Sequence, residues 1–548
     1  EAERAKEDEE LMNPRTANES PGRGRGVRLA VAVLALALIA VLAAAVVACG
    51  GAASDGSSPA AGGAIKQGGV LKIGAQAGNI NFDPALFAGA VSDIMLQHQI
   101  YEKLVMLGQD FTVQPVLATE WDSPDGKVWT FKLREGVKFS NGEDFTSADV
   151  VYTMDRLRSK ELGSPMADVY ANIKSVVATD PTTVVFTLGE IDSEFPASLT
   201  DYRTLMLCRS VKDPAKSAVG TGPFVLDSIS AEDRAVLSKN PDYWGTDEQG
   251  NKLPYLDGVE FVYSPDIAGQ VQGLQGGALN WVGGLSSEQK QTVEGNPDLK
   301  VDTTTTNYCF EMQIRVDRGP ASNLAFRQAL MAGTDRQAIV DLVAPGVSDP
   351  GNGTLVGPAY ADYYLDESVP YDPERAKQLL AEAGYADGVS IKLVAQITDP
   401  VPAVATAWQA QMKEIGVDVK IQQVPVDVFY AEEGTDNWYE ADFCFVDYGT
   451  RAIPNAYFQL ALTSTAPWNY GRWKNPEFDS ISEKISTELD LAARADLYKQ
   501  AQKILQDQVP MINFLVTTAV AGQSADVDGA FLAPDWAQSM FRDAHFTE

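Results

Sequence analysis

Histidine is nearly missing from this chain: it occurs twice in 548 residues, as His98 and His545. His545 lies at the far end of the sequence, which leaves His98 for any Ser/His/Asp set. His98 sits in the apolar stretch IMLQHQIYEKL, where a packed helix residue is the simpler reading. No GxSxG elbow and no HExxH helix occurs, and neither a GxxxxGK(S/T) loop nor a GxGxxG between strand and helix is found. These absences argue against the common serine hydrolases, zinc peptidases and nucleotide-driven enzymes. A glycosidase working through two carboxylates is not removed by them, because Asp and Glu are abundant. Cysteine is also scarce, four in all, with no CxxC and no Cys/His spacing for zinc. Basic residues are outnumbered 43 to 75 by acidic ones, for a net charge of −32. That deficit excludes a nucleic-acid groove, which needs a surplus of Lys and Arg on one face. The acidity gives a strongly solvated surface, and selection of cationic ligands is only its secondary reading.

What is present is the composition of an ordinary globular protein, 45% hydrophobic and 22% charged, long enough for two to four packed units. The first fifty residues differ from the rest. Arg23, Arg25 and Arg28 precede an unbroken run of Ala, Val, Leu and Ile over residues 29–48, and the run ends in Val46-Val47-Ala48-Cys49. A basic stretch, an apolar run and small residues before a cysteine resemble a bacterial lipobox, so Cys49 is the expected lipidation site and residues 1–48 the leader and signal peptide. A single transmembrane anchor is the alternative, since twenty apolar residues can span a bilayer. The Gly/Ser/Ala/Pro-rich tether that follows, grouped with Cys49 as residues 49–64, favours lipidation. Met12 is a candidate initiator, and the leader is set aside from fold reasoning. It carries seven acidic and six basic residues, so the acidity belongs to the body. With Cys49 lipidated, Cys208, Cys309 and Cys444 remain, an odd number that cannot all pair. A Cys309–Cys444 disulfide and three buried free thiols both stay open.

Along the body, helical and strand patterns alternate. Residues 69–75 (GVLKIGA) read as a buried strand, and 128–133 (VWTFKL) place Trp129, Phe131 and Leu133 on one face. Asn141-Gly142 turns the chain. Thr146 with Asp149 three residues later predicts a capped helix, with Val150, Val151, Met154 and Leu157 at helical spacing. Residues 175–179 and 184–188 flank a turn at Asp180-Pro181. Asp372-Pro373 starts a helix whose Ala376, Leu379, Leu380 and Ala383 share a face before Gly384. Strand-like 391–395 and 417–422 bracket a helix near 405–415. The pattern is that of mixed α/β domains, with no internal repeat.

Several of these segments resemble one family. Residues 118–156 (ATEWDSPDGKVWTFKLREGVKFSNGEDFTSADVVYTMDR) are similar in order and spacing to the signature of the family-5 extracellular solute-binding proteins of bacterial ABC importers, the dipeptide-, oligopeptide- and nickel-binding type. Gly220-Thr221-Gly222-Pro223-Phe224, Asn240-Pro241-Asp242-Tyr243-Trp244, Phe326-Arg327-Gln328-Ala329-Leu330 with Asp335-Arg336, the helix YDPERAKQLLAEAGY at 371–385, Trp468-Asn469, Trp473-Lys474-Asn475 and Phe478-Asp479 follow in the family's order. The resemblance implies a two-lobed, periplasmic-binding-protein-like type II α/β fold with an extra domain inserted in the first lobe. The first lobe would comprise 65–107, 220–308 and 508–548, the inserted domain 108–219, and the second lobe 309–507. Chain crossings near 303–310 and 506–513 would form a hinge that closes on the ligand.

The same resemblance implies a binding role without catalysis: an exported, lipid-anchored monomer that delivers oligopeptides to ABC permease subunits, with no cofactor, metal or nucleic acid. Chelated nickel, haem or oligosaccharide would be the other cargoes, and an exported hydrolase the reading from another class. In peptide-binding relatives an aspartate near the hinge takes the ligand's amino terminus. In the corresponding segment 445–454 (FVDYGTRAIP), Thr450 stands at that position. Asp447, three residues earlier, is the acid that would replace it, against the plainer reading of a strand-end carboxylate bonded to backbone amides. Tyr448 is expected to pack on the ligand and Arg451 to grip a ligand carboxylate, with a surface ion pair as the alternative. Tyr308 and Phe310 are expected on opposite sides of the hinge strand, one toward the cleft. Asn81 and Phe82 are expected to line the cleft or to form a plain turn, and Trp468 and Asn469 to close its far end.

Overall fold

The computed structural model describes residues 64–78, 81–87, 91–431 and 437–548; the leader, Cys49 and nearly all of the tether lie outside them. Two long strands, Leu299–Ile314 and Met511–Ser524, pair antiparallel from Leu299 opposite Ser524 to Gln313 opposite Met511. Both are rich in the β-branched and aromatic residues that suit a pleated surface. On one side the ribbon continues through Trp281–Gly283, Val70–Ala75, Gly258–Tyr263, Arg234–Lys239 and Phe224–Ile229; on the other it continues through Phe443–Tyr448, Val389–Gln396 and Val417–Val424. One mixed sheet therefore runs through both halves of the body. Its central ladder is interrupted between Thr305, opposite Thr518, and Cys309, opposite Val516.

Each half has its own core. Leu71, Ile73, Phe261 and Trp281 centre the first. The second is packed on both faces of the sheet, with Phe310, Met312, Leu393, Trp408 and Phe514 on one and Cys309, Tyr448, Tyr457 and Tyr498 on the other. A four-stranded antiparallel sheet of Ala118–Asp122, Val128–Leu133, Thr183–Leu188 and Ile173–Asp180 forms a third unit around Phe131, Phe186, Phe195 and Met154.

Local signals map closely. The helix after Thr146 spans Ser147–Leu157, and the Asp149 carboxylate accepts both the Thr146 backbone N–H and its hydroxyl at 2.9 Å. Asp372 accepts from the Arg375 N–H at 2.8 Å to start Pro373–Glu382. The parallel strands Val389–Gln396 and Val417–Val424 flank the helix Val401–Glu414.

Val509, Ile512, Phe514 and Leu515 pack in the second core, with a register irregularity at Phe514 between Asn513 and Leu515. Past the ladder break near Thr517, Ala519 and Ala521 of the same strand pack in the first core. Cys309 and Cys444 do not pair: both are free and buried, as is Cys208. The register sets Cys309 opposite Tyr448 and Cys444 opposite Gln313. Four residues of strand separate them, about 13 Å, beyond the reach of a disulfide. Among the described residues no helix is long and apolar enough to cross a membrane.

Candidate ligand-binding site

Val389–Gln396 runs parallel to both Val417–Val424 and Phe443–Tyr448, so Gln396, Val424 and Tyr448 end at one edge of the sheet. In α/β sheets, ligands bind outside the carboxyl ends of parallel strands, where loops diverge and the backbone offers room. The antiparallel neighbour brings Tyr308 to the same edge, since Phe310 stands opposite Asp447. Asp447 is the focus. Its Oδ2 accepts from the Tyr308 hydroxyl at 2.5 Å, and its Oδ1 accepts from Gln396 Nε2 at 2.7 Å and the Tyr430 hydroxyl at 2.9 Å. These donors are side chains, not the backbone amides of the plainer reading. All three are neutral, so the carboxylate's charge is hydrogen-bonded but not balanced by them. Burial, reinforced by the nearby Asp447 charge, holds the Tyr308 and Tyr430 hydroxyls well above the usual tyrosine range, so both remain protonated donors.

Aromatic rings surround this carboxylate. Tyr308 lies 5.3 Å from Phe310, and Tyr430 meets Phe429 at 4.9 Å and Trp438 at 5.0 Å. Trp438 touches Tyr470 at 4.3 Å and Trp468 at 5.9 Å. The contact between Tyr308 and Phe310 corrects the expectation that they face opposite ways: residues two apart in a strand share a face.

The other expected residues separate. Tyr448 follows Asp447 and therefore points to the other side of the strand, where it is buried, accepts from Gln313 Nε2 at 2.8 Å and stacks on Trp468 at 6.1 Å. It packs within the second core. Arg451 is fixed by its backbone, its N–H donating to the Tyr457 hydroxyl at 3.0 Å and its carbonyl accepting from Tyr360 at 2.6 Å. Its half-buried guanidinium forms no ion pair among the described residues, and Thr450 beside it is also half-buried. Asn469 spends its amide on the Thr463 and Trp473 backbone at 2.6 to 3.1 Å, which makes it a loop clasp. Asn81 accepts from the Asp83 N–H at 2.9 Å and Phe82 is buried in the first core, as the plain turn would have it.

The Asp447 carboxylate thus lies at the carboxyl edge of one half, near the ladder break where the chain crosses between the two halves. Residues 112–470 match the family model of bacterial extracellular solute-binding proteins, family 5. The chain belongs to this family. Its two-lobed, mixed α/β type II fold is that of periplasmic binding proteins. The family-5 chain is 30% identical over 451 residues to the glutathione-binding protein GsiB of Salmonella typhimurium, covering 79% of this chain and 86% of that one. Among solved structures it is similar to the unliganded open form of the periplasmic murein tripeptide binding protein MppA, with a TM-score of 0.78 at 22% identity over 89% of this chain and 99% of that one. It is also similar to DppA from Helicobacter pylori in complex with the peptide STSA, with a TM-score of 0.68 at 25% identity over 88% and 99%.

Two residues of the candidate site in this family-5 chain escape a linear reading. Gln396 ends a buried strand and Tyr430 ends a short apolar helix, and only the strand register brings both to Asp447. Among the described residues no group of three or more His, Cys, Asp or Glu is placed to hold a metal. Beneath the edge, Glu311 is fully buried with both carboxyl oxygens unpartnered, and burial pushes its pKa up to about 8. It is a neutral acid at pH 7.

Proposed function

We propose that this family-5 protein captures short peptides outside the cytoplasm and delivers them to an ABC permease, held at the membrane by lipid on Cys49. The observation that carries the peptide reading is Asp447: a carboxylate at the sheet edge, held by three neutral donors and rimmed by aromatic rings. Such a group is completed by a cation, and the α-ammonium of a peptide supplies one together with further donors. Arg451, half-buried and free of ion pairs among the described residues, is read as the group that takes a ligand carboxylate in return. The names of relatives point the same way, since glutathione, a murein tripeptide and STSA are all peptidic. The four-stranded unit is read as the domain inserted in the first lobe, and the ladder break at Thr305–Cys309 as the hinge. The protein works as a monomer, binding without making or breaking a bond.

The test is calorimetry with glutathione, free di- to hexapeptides and the same peptides N-acetylated, beside chelated nickel, haem and oligosaccharides. Free peptides should bind and N-acetylated ones should lose on the order of 3–5 kcal/mol, the cost of an unpaired buried charge. Equal binding of both forms removes Asp447 from the ligand. Silence from all peptides with a nickel, haem or sugar response replaces the cargo.

A further inference from the structure

The four-stranded unit touches the half that carries Asp447 at two places. Residues 189–194 reach the helices Pro476–Thr487 and Leu491–Gln508. There Ser193 donates its N–H to the Ser486 carbonyl at 2.8 Å and its hydroxyl to the Ile485 carbonyl at 3.1 Å, and Arg494 Nη1 donates to the Ser193 hydroxyl at 2.8 Å. Glu194 accepts from the Tyr498 hydroxyl at 2.8 Å and faces Arg494 Nε at 3.6 Å. Ser193, Glu194, Arg494 and Tyr498 are all buried. At the second place Phe111, held at a left-handed φ of 60°, sets its ring 4.8 Å from Tyr360.

Both receiving tyrosines also hold the loop that follows Asp447. The Tyr498 hydroxyl accepts from the Asn455 N–H at 3.2 Å, and the Tyr360 hydroxyl donates to the Arg451 carbonyl at 2.6 Å. The contact between units and the backbone of residues 449–455 therefore share the same side chains. The contact is also incompletely satisfied: Glu194 Oε1 and Arg494 Nε have no hydrogen-bond partner. A buried ion pair in that state does not fully repay its desolvation. It defines a geometry without locking it, which suits a contact that must release.

We propose that residues 189–194 and Phe111 form a releasable latch on the second half, in which Glu194, Tyr498 and Tyr360 are positioning residues for the ligand loop 449–455. Its link to the ligand rests on the site reading given above; the latch itself does not.

Hydrogen exchange of the unliganded full chain tests it through two amides, Ser193 inside the contact and Asn455 in the loop. Glu194→Ala should speed exchange at both by about tenfold or more, and Glu194→Gln should restore most of the protection. Tyr498→Phe should speed Asn455 while its ring keeps the 4.5 Å packing on Tyr363, which guards against simple misfolding. Acceleration confined to residues 189–194 in Glu194→Ala, with Asn455 unchanged, overturns the coupling. Calorimetry with glutathione and a free tripeptide then reads the consequence: about tenfold weaker binding in the variants is expected. Unchanged affinity alongside faster exchange overturns the link to the ligand. Failure of the unaltered protein to bind either peptide defeats the cargo reading, while the exchange result still decides the latch.

Discussion

Asp447 and Glu311 stand on neighbouring strands one register step apart, Phe310 opposite Asp447 and Glu311 opposite Val446, yet their surroundings are opposite. Asp447 reaches the sheet edge and accepts three hydrogen bonds; Glu311 points into the packed layer below and accepts none. Burial pushes the Glu311 carboxyl up to about 8, because desolvation of the anion outweighs the one nearby donor, Gln313. Two acids on adjoining strands thus differ in what surrounds them: one is met by three donors at the sheet edge, the other is enclosed in the core.

The largest expected break in this contrast is Asp447→Ala, which should lower peptide affinity by on the order of 3–5 kcal/mol in calorimetry. Glu311→Gln should leave that affinity unchanged. Glu311 should instead govern the pH dependence of stability. Its folded pKa of about 8 lies above the ordinary 4.5, so the native state holds the proton longer than the unfolded chain. Stability is then lost as pH rises through that window, by on the order of 5 kcal/mol at about 1.4 kcal/mol per unit. Denaturant melts from pH 5 to 8.5 should show this slope in the native protein and a flatter profile in Glu311→Gln. A smaller effect should come from Tyr430→Phe, which removes one of the three donors to Asp447. About 1 kcal/mol of ligand affinity should go, read by titration, with little change in Tm. The smallest should be Tyr448→Phe: Gln313 loses its acceptor, costing about 0.5–1.5 kcal/mol of stability, with ligand affinity unchanged because the ring is on the buried side. A loss of affinity there would mean that the two faces of the strand are coupled.

The fold was legible where one short segment carries its own physics. The Thr146/Asp149 cap, the Asp372-Pro373 helix start and the alternation in residues 128–133 all appear as read, because each depends on contacts a few residues apart. The site was legible only in part. Asp447 and Tyr308 were named from their segments and do meet, at 2.5 Å. Gln396 and Tyr430 were not, since nothing within VSIKLVAQ or VDVF marks an approach to a residue tens of positions later. Tyr448 was assigned to the ligand, although strand alternation beside an outward Asp447 already turns it inward. Asn469, expected to close the far end of the cleft, bonds the backbone of its own loop.

By itself, then, the sequence determined the family and the alternation of helices and strands, because composition, period and motif spacing act locally along the chain. The tertiary structure alone decided the partners of Asp447, the solitude of Glu311, the distance between Cys309 and Cys444 and the contact of Glu194 with Arg494. Each of these depends on strand register or on the packing of segments up to three hundred residues apart, and a shift of one residue in register exchanges the two faces of a strand and every environment on them.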